Sequence, residues 1–204
     1  MAGEEKKYLS STGVDEFYYG VLDESGATIS IIEVEPERIE FLQDITVAMS
    51  SEITRAAGDN KTAELAVSHG AVTVTGNFHK IPQADKDTLL GLEKIASGLS
   101  GHGSEDNPPY VGIVFAKTYE DGSSEYVGLP KGKFLKTNIT GTTKPATGAP
   151  TFSQDGISAE FMDRKVTGFE KEKSVISGAD EPGETTKRDA IFMAVFGKAL
   201  VDEV

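Results

Sequence analysis

Three histidines, His69, His79 and His102, are the residues of this chain whose side chains could most readily bind a metal ion or carry a proton. His69 and His79 are ten residues apart in strand-like segments, and no carboxylate spacing around them completes a set of metal ligands. His102 lies in the glycine-rich segment 98–103, which follows a predicted helix. A phosphate-binding glycine loop follows a strand and precedes a helix instead. We therefore interpret the three histidines as isolated polar contacts.

The stretch 128–134 has a superficial similarity to a nucleotide-binding loop, which needs four residues between its glycines and Ser or Thr after its lysine. Here three residues separate Gly128 from Gly132, and Phe134 follows Lys133. No other catalytic motif is present, and the absence of cysteine excludes disulfides and thiolate metal sites. The sequence therefore predicts a protein with no enzymatic activity, no cofactor and no metal.

The chain is acidic, with 33 Asp and Glu against 20 Lys and Arg and a formal net charge of −13. Such a chain is repelled by the phosphates of duplex DNA and is not expected to wrap nucleic acid. Two interpretations fit this charge. It keeps the protein in solution, or it forms a surface along which DNA passes without binding. Residues 1–7 lack the apolar run of a signal peptide, and no segment reaches the roughly 20 apolar residues of a membrane span. We expect a soluble protein that is not exported through a leader.

Strand-like alternation dominates the sequence. Residues 38–49 alternate with one apolar face, which predicts a half-buried strand. Residues 17–22 and 27–34 are predicted to form a hairpin through the turn 23–26. Further strands are expected at four places, 110–119, 125–129, 131–135 and 156–162.

The segment 64–78 changes its alternation partway along. Leu65 and Val67 occupy one phase, whereas Val72 and Val74 occupy the other. One extra residue in a strand produces this shift, so a β-bulge is predicted at His69-Gly70.

Helices are expected at two places. Residues 82–97 carry Leu89, Leu92 and Ile95 along one face, and Gly98 is a natural stop. The C-terminal stretch 185–204 is compatible with a helix or with a short buried strand. We favour the helix, because apolar residues recur there four positions apart and Thr185 or Thr186 can serve as N-cap.

The chain is expected to form a single domain, 1–204, with a flexible N-terminal arm at 1–15. Two long loops are predicted at 50–62 and 136–154, the second because Pro and Gly bar a central strand. Four lysines and no acid occur between residues 126 and 154, a basic island in an acidic chain; they are Lys131, Lys133, Lys136 and Lys144.

Four phrases follow one another in a characteristic order between residues 77 and 134. They are Asn77-Phe78-His79-Lys80-Ile81-Pro82, Leu89-Leu90-Gly91, Asp106-Asn107-Pro108-Pro109-Tyr110-Val111-Gly112 and Leu129-Pro130-Lys131-Gly132-Lys133-Phe134. Their succession resembles the major tail proteins, or tail tube proteins, of long-tailed non-contractile bacteriophages. The match extends to residues 59–61 and 157–161 and so covers most of the chain.

The resemblance implies a mainly β (α+β) fold, a β-sandwich or barrel of tail-tube type flanked by the helix at 82–97 and by a C-terminal helix. It also implies a structural virion protein of the phage tail, made in the cytoplasm of the host bacterium. Its copies would form rings, commonly hexamers, that stack into the tube for genome delivery. Expected partners are the chain itself and the tape-measure, tail-tip and tail-terminator proteins, and double-stranded DNA would pass through without specific binding.

Two groups of residues are candidates for roles in such a tube. Glu40 and Asp44 share one face of the predicted strand and are candidate lumen-facing acids, although ordinary solvated residues would show the same pattern. Lys131, Lys133, Lys136 and Lys144 are candidate contacts between rings, where they would meet acids of the next subunit.

Two alternatives remain open at this point, and a third, an undetected hydrolase, is disfavoured because no nucleophile–base pairing is discernible. The first is a tube protein of a phage-derived particle, such as a tailocin or a gene-transfer agent. The second is a decoration or receptor-binding module of a virion, which the absence of tryptophan and the scattered tyrosines disfavour.

Overall fold

The computed structural model of the protein describes residues 8–23, 30–58, 61–141, 143, 146–147 and 152–200. Within these residues the chain forms strands β1 Ser11–Asp23, β2 Ser30–Ile31, β3 Glu37–Ile39, β4 Leu42–Gly58, β5 Lys61–Phe78, β6 Glu93–Lys94, β7 Ser100–Gly101, β8 Val111–Tyr119, β9 Ser124–Leu135, β10 Asp155–Phe161 and β11 Ile176–Asp180. The helices are α1 Gln83–Leu90 and α2 Thr186–Phe196. The predicted mainly β fold with two helices is confirmed.

Nine of these strands form one antiparallel sheet, in which β2–β1–β8–β9–β10–β5–β4 are neighbours, β3 adds to β1 and β11 adds to β9. Strand β9 is where the sheet branches. Along the edge opposite β8, residues Ser124–Gly128 pair with β11, whereas Gly132–Leu135 pair with β10. The two halves of the sheet are therefore joined through this one strand.

Each face of the sheet has its own apolar cluster. Alternation along β8 sends Ile113 into the larger cluster, which also includes Leu89 of α1. Val114, the next residue, points into the second cluster, beneath α2. The helix approaches β9 closely because Gly128 lacks a side chain, since a Cβ there would lie 2.7 Å from Val195.

Helix α2 confirms the predicted C-terminal helix, with Thr185 at the N-cap position. The capping hydrogen bonds, however, are accepted by a residue five positions before the N-cap and not by Thr185 itself. The buried carboxylate of Asp180, at the end of β11, accepts hydrogen bonds from the amides of Lys187 (2.8 Å) and Arg188 (2.8 Å). A carboxylate there also favours the positive end of the helix dipole, so α2 begins where β11 ends.

The other end of α2 is held by Arg164, which is 7% exposed. Its guanidinium donates to the carbonyls of Ala194 (2.7 Å) and Val195 (3.2 Å) and to the carbonyl of Pro130 (2.7 Å). Pro130 lies on β9 between the segments paired with β11 and with β10, where the strand has no ladder partner on that edge. One guanidinium thus provides hydrogen-bond donors both to C-terminal carbonyls of α2 and to the carbonyl at the branch point of the sheet.

Helix α1 is shorter than the predicted helix 82–97. It ends at Leu90, because Gly91 adopts the left-handed conformation (φ 61°) and closes the helix there. A side chain at Gly91 would also collide with the carbonyl of Asn107, at 2.5 Å. The chain then enters the β6–β7 hairpin, so the prediction that Ile95 lies on the buried helical face is wrong: Ile95 is exposed.

The predicted hairpin around 23–26 is confirmed by the pairing of β1 with β2, although residues 24–29 lie outside the described part. The pairing of β8 with β9 confirms the strands predicted at 110–119 and 125–129, and β9 continues through the segment 131–135 without a break. Strand β10 confirms the prediction at 156–162.

The predicted continuous strand 38–49 is interrupted. β3 ends at Ile39 and β4 begins at Leu42, and between them Phe41 has a positive φ of 63°. Glu40 is therefore outside β4, and strand alternation does not place it on the same face as Asp44. The expectation that these two acids share one strand face is wrong for this physical reason.

The predicted loop 50–62 is also wrong, because its described residues continue β4 and β5 into one long hairpin. Residues 136–154 have no helix or strand where the structure describes them, in agreement with the prediction. The predicted arm 1–15 is wrong for its last five residues, since β1 begins at Ser11; residues 1–7 of this prediction lie outside the described part. Neither helix in the described ranges is long and apolar enough to span a membrane.

Replacing Arg164 by methionine, which has a similar reach but no donor, is expected to lower the free energy of unfolding by about 3 kcal/mol, because three buried carbonyls lose a charged donor. Urea titration followed by circular dichroism measures the change. Lys171→Met, at an exposed position in the same β10–β11 connection, is the matched control and is expected to stay within about 0.5 kcal/mol. Equal effects of the two substitutions would contradict the role given to Arg164.

Candidate functional site

The hairpin of β4 and β5 extends beyond the rest of the sheet. The two strands pair with each other from Leu42 and Phe78 as far as Gly58 and Lys61. Strand β10 accompanies β5 only as far as Val72, where its last residue, Phe161, is paired. We call the part beyond, residues 51–58 and 61–71, the distal ribbon. Its described side chains are all exposed.

One face of the distal ribbon is apolar. The cross-strand pairs Ile53–Val67 and Arg55–Leu65 lie on this face, and the three apolar side chains are 57–60% exposed. The opposite face is polar and acidic, with Glu52, Thr54, Glu64 and Ser68. A two-stranded ribbon that exposes an apolar face, as the described residues do here, is marginally stable in water, so another surface is expected to cover this face.

A bulge joins the distal ribbon to the body. The register of β4 on β5 shifts between the pairs Met49–Val72 and Ser51–His69, which confirms the bulge predicted at His69-Gly70. Because of this shift, the apolar face of the ribbon continues the core-facing side of β4, where Val47 lies. The apolar face of the ribbon is therefore an extension of the core beyond the body.

A second exposed surface is polar and lies on the outward side of β10, β5 and β4. On β5 and β10 the residues that alternate with the core are Thr73, Thr75, Ser158 and Glu160. Asp44, at the start of β4, is exposed and accepts hydrogen bonds from the Asn77 amide at 3.0 and 3.1 Å. This surface, the outward sheet face, has small hydroxyl side chains and few charges.

Three lysines of the basic island contact the loop segment 106–112. The ammonium groups of Lys131 and Lys133 lie 4.2 and 4.6 Å from the centre of the Tyr110 ring. Lys133 also donates to Asn107 at 2.9 Å. Two of the phrases that carry the family resemblance are thus in direct contact with each other.

Lys136 forms an ion pair with Asp106 at 2.7 Å and remains 40% exposed. This hydrogen bond and that from the Gly103 amide lower the pKa of the Asp106 carboxyl below its ordinary value. Lys144, the fourth lysine of the island, lies outside the described residues. The structure thus brings three of the four lysines to one area, where each already has a partner within the subunit.

The histidines lie apart from one another. His69 is at the bulge, the ring of His79 packs edge-on against Phe152 at 5.7 Å, and His102 follows β7. Across the described ranges, no group of three or more His, Asp or Glu side chains is arranged to hold a metal ion.

Sequence reasoning missed the distal ribbon as a functional surface. Part of the signal was recognised, since Leu65 and Val67 were assigned to one phase of a strand. The polar, mixed-charge segment 50–62 concealed the partner strand, because its alternation around Ile53 extends over only a few residues.

A family model described as phage tail tube protein matches residues 9–199. Among curated proteins, no match to this chain was found.

The paired substitution Ile53→Thr and Val67→Thr is expected to lower the free energy of unfolding of the monomeric subunit by less than about 0.5 kcal/mol, since both side chains are exposed. Val74→Thr, on the same strand but fully buried, is expected to cost about 2 kcal/mol, because its hydroxyl loses water. All three changes keep β-branching. Urea unfolding measures both variants, and similar losses would show that the subunit itself buries the ribbon face.

Proposed function

This chain belongs to the phage tail tube protein family, and from that membership we propose that its copies assemble into stacked rings, which form the tube for delivery of the phage genome. It is a structural tail tube protein and a component of the virion. The observation that best supports assembly is the distal ribbon, whose apolar face is left uncovered by its own subunit. Such a face is stable in water when another chain covers it.

A tube requires contacts of two kinds. Within a ring, a head-to-tail contact closes by rotation; between rings, the contact repeats without closing. Each contact is allowed to be weak, because many of them act together once a first ring exists. We propose a ring of six copies, begun on a tail-tip complex, measured by a tape-measure protein and ended by a terminator. The proposed place of synthesis is the host cytoplasm.

We propose that the outward sheet face lines the lumen, with Asp44 and Glu40 among its acids. Hydroxyl side chains with scattered carboxylates offer no cationic partner for phosphate, and the net charge of −13 keeps duplex DNA from adhering. Asp44 lies on this face in the subunit, and Glu40 lies in the connection just before it. DNA would pass such a wall without specific binding.

We propose that the basic island, Lys131, Lys133, Lys136 and Lys144, contacts the adjacent ring. The partners that three of these lysines have within the subunit leave them partly exposed, so a second carboxylate is able to approach. Charge pairs of this kind contribute orientation and association rate more than affinity.

The direct test of assembly is electron microscopy of the purified full-length chain over a range of concentrations, with sedimentation velocity alongside. Hollow tubes or rings of uniform width are expected, at least when a tail-tip complex supplies the first ring. A monomer at every concentration, with and without that complex, would contradict the proposed function.

Single introduced cysteines test the proposed lumen surface and the proposed inter-ring surface separately, because the sequence contains no cysteine. In assembled tubes, Asp44→Cys is expected to react with a small maleimide but about tenfold more slowly with a bulky polymer-linked one, since the lumen admits only the former. Lys136→Cys is expected to lose reactivity towards both reagents on assembly. Glu184→Cys, at an exposed position before α2, is the control and should keep both reactivities. Unchanged labelling of Asp44→Cys or Lys136→Cys would refute the corresponding surface.

A further inference from the structure

A groove lies at the base of the distal ribbon, and we propose that it receives the apolar face of the distal ribbon of a second copy of this chain. The inference rests on the proposed function and names the surface on the partner copy. It follows from the shape and lining of the groove, from its charge, and from the reach of the ribbon.

The groove, here the base groove, has a volume of about 710 Å³. One wall is the bulge region of β4 and β5, and the other is the end of β10 together with the connection to β11. Its floor includes the buried side chains of Val72 and Phe161, and its rim includes Met49 and Met162, which are 67% and 50% exposed. An apolar floor with exposed methionines on the rim is suited to apolar side chains of varied shape.

The charges of the two surfaces are complementary. Three acids, Glu160, Asp163 and Glu172, line the base groove together with two lysines, Lys133 and Lys173, whose ammonium groups lie over aromatic rings. Within the described part of the chain none of the three acids forms an ion pair. Among the described side chains of the ribbon's apolar face, the charged one is Arg55, directly across from Leu65. A docked ribbon would thus bring a guanidinium to an acidic rim, and the acidic groups on the other side of the ribbon would face away.

The ribbon cannot fill the groove of its own subunit. Val67 lies five residues along β5 from Val72, whose neighbour on β10 is Phe161. At about 3.3 Å per residue this separates Val67 from Val72, on the floor of the groove, by roughly 16 Å. The ribbon begins at the wall of its own groove, at His69 and Gly70, and its paired strands lead away from the floor. The occupant must therefore come from another molecule, and the distal ribbon of a second copy offers an exposed apolar face of matching chemistry.

Ribbon and groove are different surfaces, so the contact is heterologous. Each copy offers one ribbon and one groove, and a first contact leaves one of each free. Repetition then closes into a ring or continues as a filament, which is the behaviour that the proposed tube requires. Because the groove lies at the base of the distal ribbon in each copy, a docked ribbon lies beside the base of the ribbon of the copy that receives it.

The test uses the full chain carrying Val67→Cys and Met162→Cys together, oxidised after assembly. A head-to-tail contact is expected to give a ladder of disulfide-linked oligomers on a denaturing gel, about tenfold more than the control pair Val67→Cys and Leu99→Cys. The bond cannot form within one subunit, because the two positions are too far apart for a disulfide. Each single variant is expected to give no ladder.

The outcomes separate this inference from the proposed function. Tubes without a ladder would overturn the docking and leave the function standing, whereas a ladder without tubes would support the docking and count against the function. A dominant dimer of the Val67→Cys single variant would show ribbon-to-ribbon packing and overturn the proposal. Neither tubes nor ladder would overturn both.

Charge reversal provides an independent check. Arg55→Glu is expected to lower the ladder yield about tenfold, and adding Asp163→Lys and Glu172→Lys to the same chain is expected to restore most of it. Lys94→Glu, an equal change of charge at an exposed position of β6, is the control and should leave the yield unchanged. Equal yields from Arg55→Glu and Lys94→Glu would overturn the charge complementarity.

Discussion

The architecture of this protein depends on how β9 supports two partners along one edge. Strands β11 and β10 divide that edge, and the division leaves the carbonyl of Pro130 without a ladder partner. Arg164 supplies the donor there and, with the same guanidinium, satisfies the last turn of α2. A buried cation is costly unless its hydrogen bonds are made, so the branch, the helix and the arginine stabilise one another. Asp180 performs the complementary task at the start of the helix.

This rigid body carries a segment that it does not stabilise by packing. The distal ribbon has its backbone hydrogen bonds, but within the described part of the subunit its apolar face is exposed. In the proposed tube that face becomes buried between copies, and the energy gained is available only on assembly. The net charge of −13 opposes non-specific association between copies, while the exposed apolar face favours one particular contact.

Local signals in the sequence predicted much of the fold. The hairpins, the C-terminal helix and the bulge near Gly70 each rest on alternation or spacing within a few residues. What was not predictable depends on contacts distant in sequence. Helix α1 ends early because Gly91 packs against the carbonyl of Asn107. The ribbon required pairing of the predicted strand 64–78 with the segment 50–62, which seemed irregular. The lysines of the basic island were foreseen as a group, but the contacts of Lys131 and Lys133 with Tyr110 depend on a loop about twenty residues upstream. The candidate roles of these lysines and of Asp44 stay predictions, since they concern surfaces between copies.

The central claim is that copies of this chain join through the distal ribbon to make a tube. Electron cryomicroscopy of intact phage tails, at a resolution that shows strands, tests it most directly. The account predicts a hollow helical assembly in which density for the distal ribbon enters the base groove of a neighbouring copy, with Arg55 near Asp163 and Glu172. A map in which the ribbon projects into solvent, or in which the base groove is empty, would contradict it.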